Sequence, residues 1–159
     1  MRFCALIVAM LFISGVQAAP HYYTEGVGSI YIVIDGDTLI MTGMSDAAFE
    51  DLSKRAASKY VNTKYRSIRI RIGGIDTAEL GTRAGEEAKV FLKERAEKKE
   101  AAYGCYDVGK YGRLICHVQF GPEKSDVGAL MIGSGRSIYV KKYGLIPVSE
   151  LDRHYRSLD

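Results

Sequence analysis

The sequence predicts an α+β fold that is mainly β: a small barrel of about five strands with helices flanking it. Three observations lead there. Residues 29–34 (SIYIVI) and 65–72 (YRSIRIRI) are β-branched or strictly alternating, which suits strands rather than helices. Residues 100–106 and 113–120 flank Gly109-Lys110-Tyr111-Gly112, which reads as a hairpin turn. The two longest helical periodicities, over 46–60 and 83–99, are inserted between strands, but no strand–helix–strand series with a phosphate loop appears, so a small barrel suits the order better than a parallel sheet.

The chain has 159 residues, which suits one domain, but its start reads differently from the rest. Residues 1–18, MRFCALIVAMLFISGVQA, carry one charge, Arg2, then an uncharged apolar stretch, then Val16-Gln17-Ala18. That is the pattern of a secretory signal peptide cleaved after Ala18. The apolar stretch is short for a membrane span, and an uncleaved anchor is the alternative. Residues 19–159 would then form the single domain, placed in the periplasm or the medium, with no membrane span left after cleavage. Its expected working form is a monomer. Losing Arg2 takes the net charge from +3 to +2, too little to argue for nucleic acid by itself. The basic residues are unevenly spread, however: Lys64, Arg66, Arg69 and Arg71 crowd one strand, and Lys141 and Lys142 lie in another.

The remaining elements follow in order. Residues 20–28 read as a loose lead-in to the first strand. Asp35-Gly36-Asp37-Thr38 turns the chain into a return strand at 39–41. Ser45 is placed to cap the first helix, whose apolar face is Ala48, Leu52 and Ala56 with Phe49 beside them. In the next strand Ile68, Ile70 and Ile72 face one way, and Arg69 and Arg71 the other. Ala88, Phe91, Leu92 and Ala96 mark the buried face of the longest helix. After the hairpin come a short helix from Asp126 to about Ile132, a strand at 137–141 and a short helix capped by Ser149. A five-stranded OB barrel accommodates this order, although periodicity alone does not select it.

Cys4 lies in the leader, leaving Cys105 and Cys116 for an oxidising compartment. Their midpoint falls between Lys110 and Tyr111, so the hairpin sets them opposite each other, within disulfide reach. A disulfide is expected.

Two acidic spots stand at strand ends, Asp35-Gly36-Asp37-Thr38 and Asp76-Thr77-Ala78-Glu79, and a basic spot, Lys110-Tyr111-Gly112-Arg113, at the hairpin turn. Each alone is compatible with an ordinary turn. Together they are chemically coherent. Carboxylate and carbonyl oxygens suit Ca²⁺ or Mg²⁺. His21, His117 and His154 lack zinc-ligand spacing. Arginines beside such a cation can neutralise phosphate oxygens, and a further carboxylate can take a proton from water.

The stretches VIDGDTL (33–39), RIGGIDTAE (71–79), AGEEAKVFL (84–92), GKYGRLI (109–115) and DVGALMIGSGRSIYV (126–140) occur in an order that resembles the thermonuclease family, the staphylococcal-nuclease-like domains. The resemblance spans residues 29 to 143 and implies an OB barrel with helices. It implies one Ca²⁺ ion bound by Asp37, Asp76 and the Thr77 backbone carbonyl, with Asp35 nearby but outside the ligand shell. Glu79 would be the general base, and Arg71 and Arg113 the phosphate-binding arginines. Lys110, Tyr111, Tyr139 and Tyr143 would line the nucleotide site. The implied activity is Ca²⁺-dependent hydrolysis of DNA and RNA with little sequence preference, leaving 3′-phosphates. A non-catalytic nucleic-acid-binding module and a phosphoesterase acting on small esters are the alternatives. The chain departs from the family in Ala78, where Pro is usual; in Gly109, where Asp is common; and in a longer 43–65 segment, which either caps the barrel or shapes substrate access.

Overall fold

The computed structural model describes residues 21–144. The expected signal peptide at 1–18 and the helix expected after Ser149 lie outside them.

The barrel is built from five strands: β1 (Thr24–Val33), β2 (Thr38–Thr42), β4 (Ser67–Ile72), β6 (Glu100–Val108) and β7 (Leu114–Phe120). Neighbours run β4-β2-β1-β6-β7, and β4 and β7 then pair in parallel to close the ring. The other pairs of the ring are antiparallel. Closure leaves the barrel strands without the open edge that invites association. Short β3 (Val61–Asn62) adds to β4, and β8 (Ser125–Asp126) to β7. The expected mainly-β barrel with flanking helices is the observed fold.

The period-two pattern of β4 does what it predicts. Ile68, Ile70 and Ile72 are buried, while Arg69 and Arg71 are only partly covered. Ile30, Leu39, Met41 and Leu114 meet them in the core. Helix α1 (Asp46–Arg55) adds Phe49 and Leu52 and is capped by Ser45, whose Oγ accepts from the Ala48 N–H. Helix α2 (Arg83–Ala96) adds Ala88, Leu92 and Ala96. Its cap is Thr82, whose Oγ1 accepts from the Gly85 N–H at 3.1 Å.

Three of the boundaries that differ from expectation do so where tertiary bonds capture backbone. Residues 24–28, expected as lead-in, belong to β1 and pair with β6. Gly28 lets the end of β2 approach β1 on its other side, since a Cβ there would lie 2.7 Å from the Thr42 carbonyl oxygen. Helix α1 stops at Arg55, and the Ala57 N–H donates to the Gly112 carbonyl instead. Helix α2 stops at Ala96, and Lys98 bonds through its N–H to Ile30.

Cys105 and Cys116 are paired residues of β6 and β7, both fully buried, and form the expected disulfide. Closing a loop of this length constrains the unfolded chain by about 3 kcal/mol. Replacing both cysteines with alanine is expected to lower the unfolding free energy by about 2–3 kcal/mol, measured by urea titration beside oxidised wild type.

Helix α3 (Val127–Gly133) begins at Asp126, whose Oδ1 accepts from the Ala129 N–H at 2.8 Å. Asp126 Oδ2 is buried with no hydrogen-bond partner among the described residues. Burial pushes this carboxyl up to about 6, against the two backbone N–H bonds that pull it down. A raised acid binds its proton more readily folded than unfolded. Its favourable contribution is therefore complete below about pH 4 and lost as pH rises through about 6. Asn caps as well as Asp and carries no charge. The stability of Asp126→Asn relative to wild type should thus improve between pH 4.5 and 7.5 in urea titrations. A difference that does not change with pH would contradict this account of Asp126.

Candidate active site

The candidate residues gather at one rim of the barrel. The turn between β1 and β2 carries Asp35 and Asp37, β4 carries Arg71, and Arg113 directly precedes β7. Thr38 on β2 pairs with Arg71 on β4, and Arg71 in turn pairs with Ile115 on β7. Three strands thus bring these side chains together across long sequence separations.

Asp76 and Thr77, which read as a polar loop, form part of a strand, β5 (Ile75–Thr77). It pairs with β9 (Ser137–Tyr139) in a two-stranded ribbon beside the barrel. This is a correction to the strand expected at 137–141: after Tyr139 the chain enters a 3₁₀ turn at Lys141–Tyr143.

The centre of the cluster is one guanidinium. Arg71 Nη1 donates to Asp37 Oδ1 at 3.1 Å, and Nη2 donates to Asp76 Oδ1 at 2.7 Å and to the Ile75 carbonyl at 3.1 Å. Asp37 is buried and Asp76 partly exposed. Asp37 Oδ2 also accepts from the Thr77 Oγ1–H at 3.2 Å and the Thr77 N–H at 3.4 Å. The Thr38 hydroxyl donates to Asp37 Oδ1 and accepts from Arg113 Nη1, both at 3.0 Å. Sequence reasoning gave Thr38 no role, yet it links Arg113 to the acids. Its place in the Asp-Gly-Asp-Thr turn was the available signal.

Burial pushes the Asp37 carboxyl above the usual carboxylate range. Arg71 pulls it back and the neighbouring Asp35 pushes it up further. Asp35 does not join the ion pairs; its Oδ1 accepts from the Asp37 N–H and shapes the turn. Gly36 completes that turn, since a Cβ there would lie 2.7 Å from the Thr77 methyl and 3.0 Å from the Ala88 Cβ.

Glu79 stands apart. Its side chain is exposed and makes no hydrogen bond or ion pair among the described residues. Its backbone is well held: the Glu79 carbonyl accepts from the Thr82 Oγ1–H at 2.7 Å and the Thr82 N–H at 3.2 Å. Gly85 lets α2 approach this closely, because a Cβ there would lie 2.1 Å from the Glu79 carbonyl oxygen. The helix start thus fixes the Glu79 backbone without the proline that is usual at position 78.

Lys110 and Tyr111 are exposed at the hairpin tip, next to Arg113. The end of the 43–65 segment braces that tip: Ala57 bonds to Gly112, and its methyl occupies the space a Gly112 Cβ would need. The segment therefore both caps the barrel, through Phe49 and Leu52, and supports the turn before Arg113. Tyr139 is half-buried on β9, opposite Ile75. The Tyr143 ring lies over the Arg71 guanidinium, 4.6 Å from its centre. An open cavity of about 580 Å³ adjoins Asp76, Thr77 and Ala78 and reaches Arg136 and Ile138.

Residues 69–158, more than half of the chain, match the family model described as staphylococcal nuclease homologue. The chain belongs to the staphylococcal nuclease homologue family. No individually curated protein matches it. The matched span contains Arg71, Asp76, Thr77, Glu79 and Arg113 but not Asp37, which precedes it. The barrel joins the two parts, because β2 pairs with β4 and sets Asp37 against Arg71. The barrel therefore brings Asp37, which lies before the matched span, to the same rim as Arg71.

Proposed function

We propose that this protein is a Ca²⁺-dependent nuclease that hydrolyses phosphodiester bonds of DNA and RNA with little sequence preference. One observation carries the reading. A single arginine, Arg71, joins two carboxylates at a barrel rim, with a second arginine, Arg113, one hydroxyl away.

The donor set fits a hard cation. Asp37 and Asp76 converge on one guanidinium, so both reach one positive charge, and burial leaves Asp37 in need of it. Among the described residues no three His, Cys, Asp or Glu side chains come together as a metal-holding group. The protein would supply Asp37, Asp76 and the Thr77 carbonyl, with water and phosphate completing the six to eight oxygens that Ca²⁺ takes. When bound, the cation would add Lewis-acid stabilisation of charge on the phosphoryl oxygens.

The chain's own residues do the rest. Arg71 and Arg113 bind non-bridging phosphate oxygens and stabilise the charge that builds there. The Arg71 Nε–H is buried and has no partner among the described residues. Such an unmade hydrogen bond costs about 1–3 kcal/mol, which an anionic oxygen would recover. Glu79 takes a proton from the attacking water as its oxygen bonds to phosphorus. The bond to the 5′ oxygen breaks, that oxygen takes a proton from solvent, and the 3′-phosphate remains. Lys110 and Tyr111 contact backbone phosphate, and Tyr139 offers an aromatic edge to a base.

Secretion into the periplasm or medium, with a monomer as the working form, belongs to the same proposal. The described residues contain no helix long and apolar enough to cross a membrane.

Incubating the protein with plasmid, single-stranded DNA, RNA and bis(p-nitrophenyl) phosphate separates the readings. The nuclease reading expects all three polymers to be cut far faster than the small ester. A gel shift without cleavage would favour a binding module, and preference for the small ester would favour a simple phosphoesterase.

A further inference from the structure

Strand β6 carries an extra residue at Tyr106. Cys105 pairs with Cys116, and Asp107 with the next residue back, Ile115, so Tyr106 sits in a bulge. Bulges re-aim a side chain, and here the ring packs against Tyr22 and His117, with centroids 6.4 and 4.6 Å away. Its hydroxyl donates to the Tyr143 carbonyl at 2.8 Å. The Gly74 N–H donates to the same carbonyl at 2.9 Å.

Two glycines make room for that hydroxyl. A Cβ on Gly73 would lie 1.8 Å from the Tyr106 oxygen, and one on Gly144 2.0 Å from it. Gly144 also has φ +104°, which L side chains rarely adopt. The Val140 N–H donates to the Gly74 carbonyl, so the 140–144 turn is tied to the loop leading into β5 on both sides. The turn ends with the Tyr143 ring over the face of Arg71. Stacking covers the face of a guanidinium and leaves its edge, where the N–H groups point, for oxygen ligands.

We propose that Tyr106 is a positioning residue. By holding the Tyr143 carbonyl, its hydroxyl sets the Tyr143 ring against Arg71 and fixes the plane in which the Arg71 fork meets a phosphate. The effect on turnover rests on the nuclease reading; the place of the ring on Arg71 rests on geometry alone.

Two readouts keep these apart. The first is the NMR shift of the Arg71 Hδ protons, which a ring stacked on the guanidinium moves upfield. Tyr143→Leu should abolish that shift and Tyr106→Phe should remove at least about half of it. The second is turnover on single-stranded DNA with Ca²⁺. Tyr106→Phe should lower kcat about tenfold with KM changed less than about twofold. The double variant should be no slower than Tyr143→Leu alone, because both act through one contact. Gly144→Ala, which crowds the hydroxyl but keeps the ring, should reproduce the Tyr106→Phe result. A wild-type Arg71 shift in Tyr106→Phe, or independent effects that multiply in the double variant, would overturn the proposal. If wild type cuts no polymer, the nuclease reading fails, and the Arg71 shift still decides whether Tyr106 anchors the ring.

Discussion

Glu79→Gln is expected to lower kcat on DNA by about 10²–10⁴-fold while leaving the unfolding free energy within about 0.5 kcal/mol of wild type. The two halves of this expectation come from the same observation. The Glu79 side chain is exposed and makes no hydrogen bond or ion pair among the described residues, so the fold loses nothing when its charge goes. Its backbone carbonyl, in contrast, is held by Thr82 at the start of α2, with Gly85 packed beneath it. A carboxylate that is fixed at its root and unengaged at its tip is suited to a proton-transfer role. Gln keeps the shape and removes the basicity. Single-turnover rates with saturating enzyme, together with urea titrations, measure both quantities. A loss of several kcal/mol in stability, or a rate within a few fold of wild type, would remove Glu79 from the mechanism.

Arg71→Ala carries the other large effect, and here stability and activity fall together. The substitution breaks both ion pairs and leaves Asp37, whose side chain is only 7% exposed, without its counter-charge. Removing one partner of a buried pair costs about 3–5 kcal/mol. If Arg71 binds phosphate as proposed, its loss adds an expected rate reduction of about 10²–10³-fold. Adding Asp37→Asn should return part of the stability, because a neutral amide tolerates burial, and none of the activity. Ca²⁺ should raise the Tm of Arg71→Ala more than that of wild type, since the two acids then have no other cation. Calorimetry with Ca²⁺ and with chelator reads this. Equal Ca²⁺ shifts in the two proteins would mean that the ion does not bind at Asp37 and Asp76.

Much of this was legible in the chain. The Ile68, Ile70, Ile72 alternation placed β4 and its buried face, because a half-covered strand has a period that no other element shares. The cysteine spacing about Lys110 and Tyr111 gave the Cys105–Cys116 pairing but not the bulge at Tyr106, which shifts the register by one nearer the turn, where Asp107 pairs with Ile115. The Asp-Gly-Asp-Thr and Asp-Thr-Ala-Glu stretches marked the strand ends that meet at the rim. What was not legible depends on distant pairing. The β5–β9 ribbon joins three-residue strands about sixty residues apart, too short to have a period of their own. The ends of α1 and α2 are set by Gly112 and Ile30, which no local rule includes. Gly36, Gly85 and Tyr106 matter through what they touch across the fold, so their own neighbours in sequence carry little sign of it.

Cleavage of an end-labelled single-stranded oligonucleotide by the wild-type protein, with Ca²⁺ or with chelator, followed by analysis of the product ends, tests the Ca²⁺-dependent nuclease reading. Rapid cleavage in Ca²⁺, loss of cleavage in chelator, and fragments that end in 3′-phosphate are the expected results. Binding without cleavage, or cleavage that chelator leaves unchanged, would contradict it.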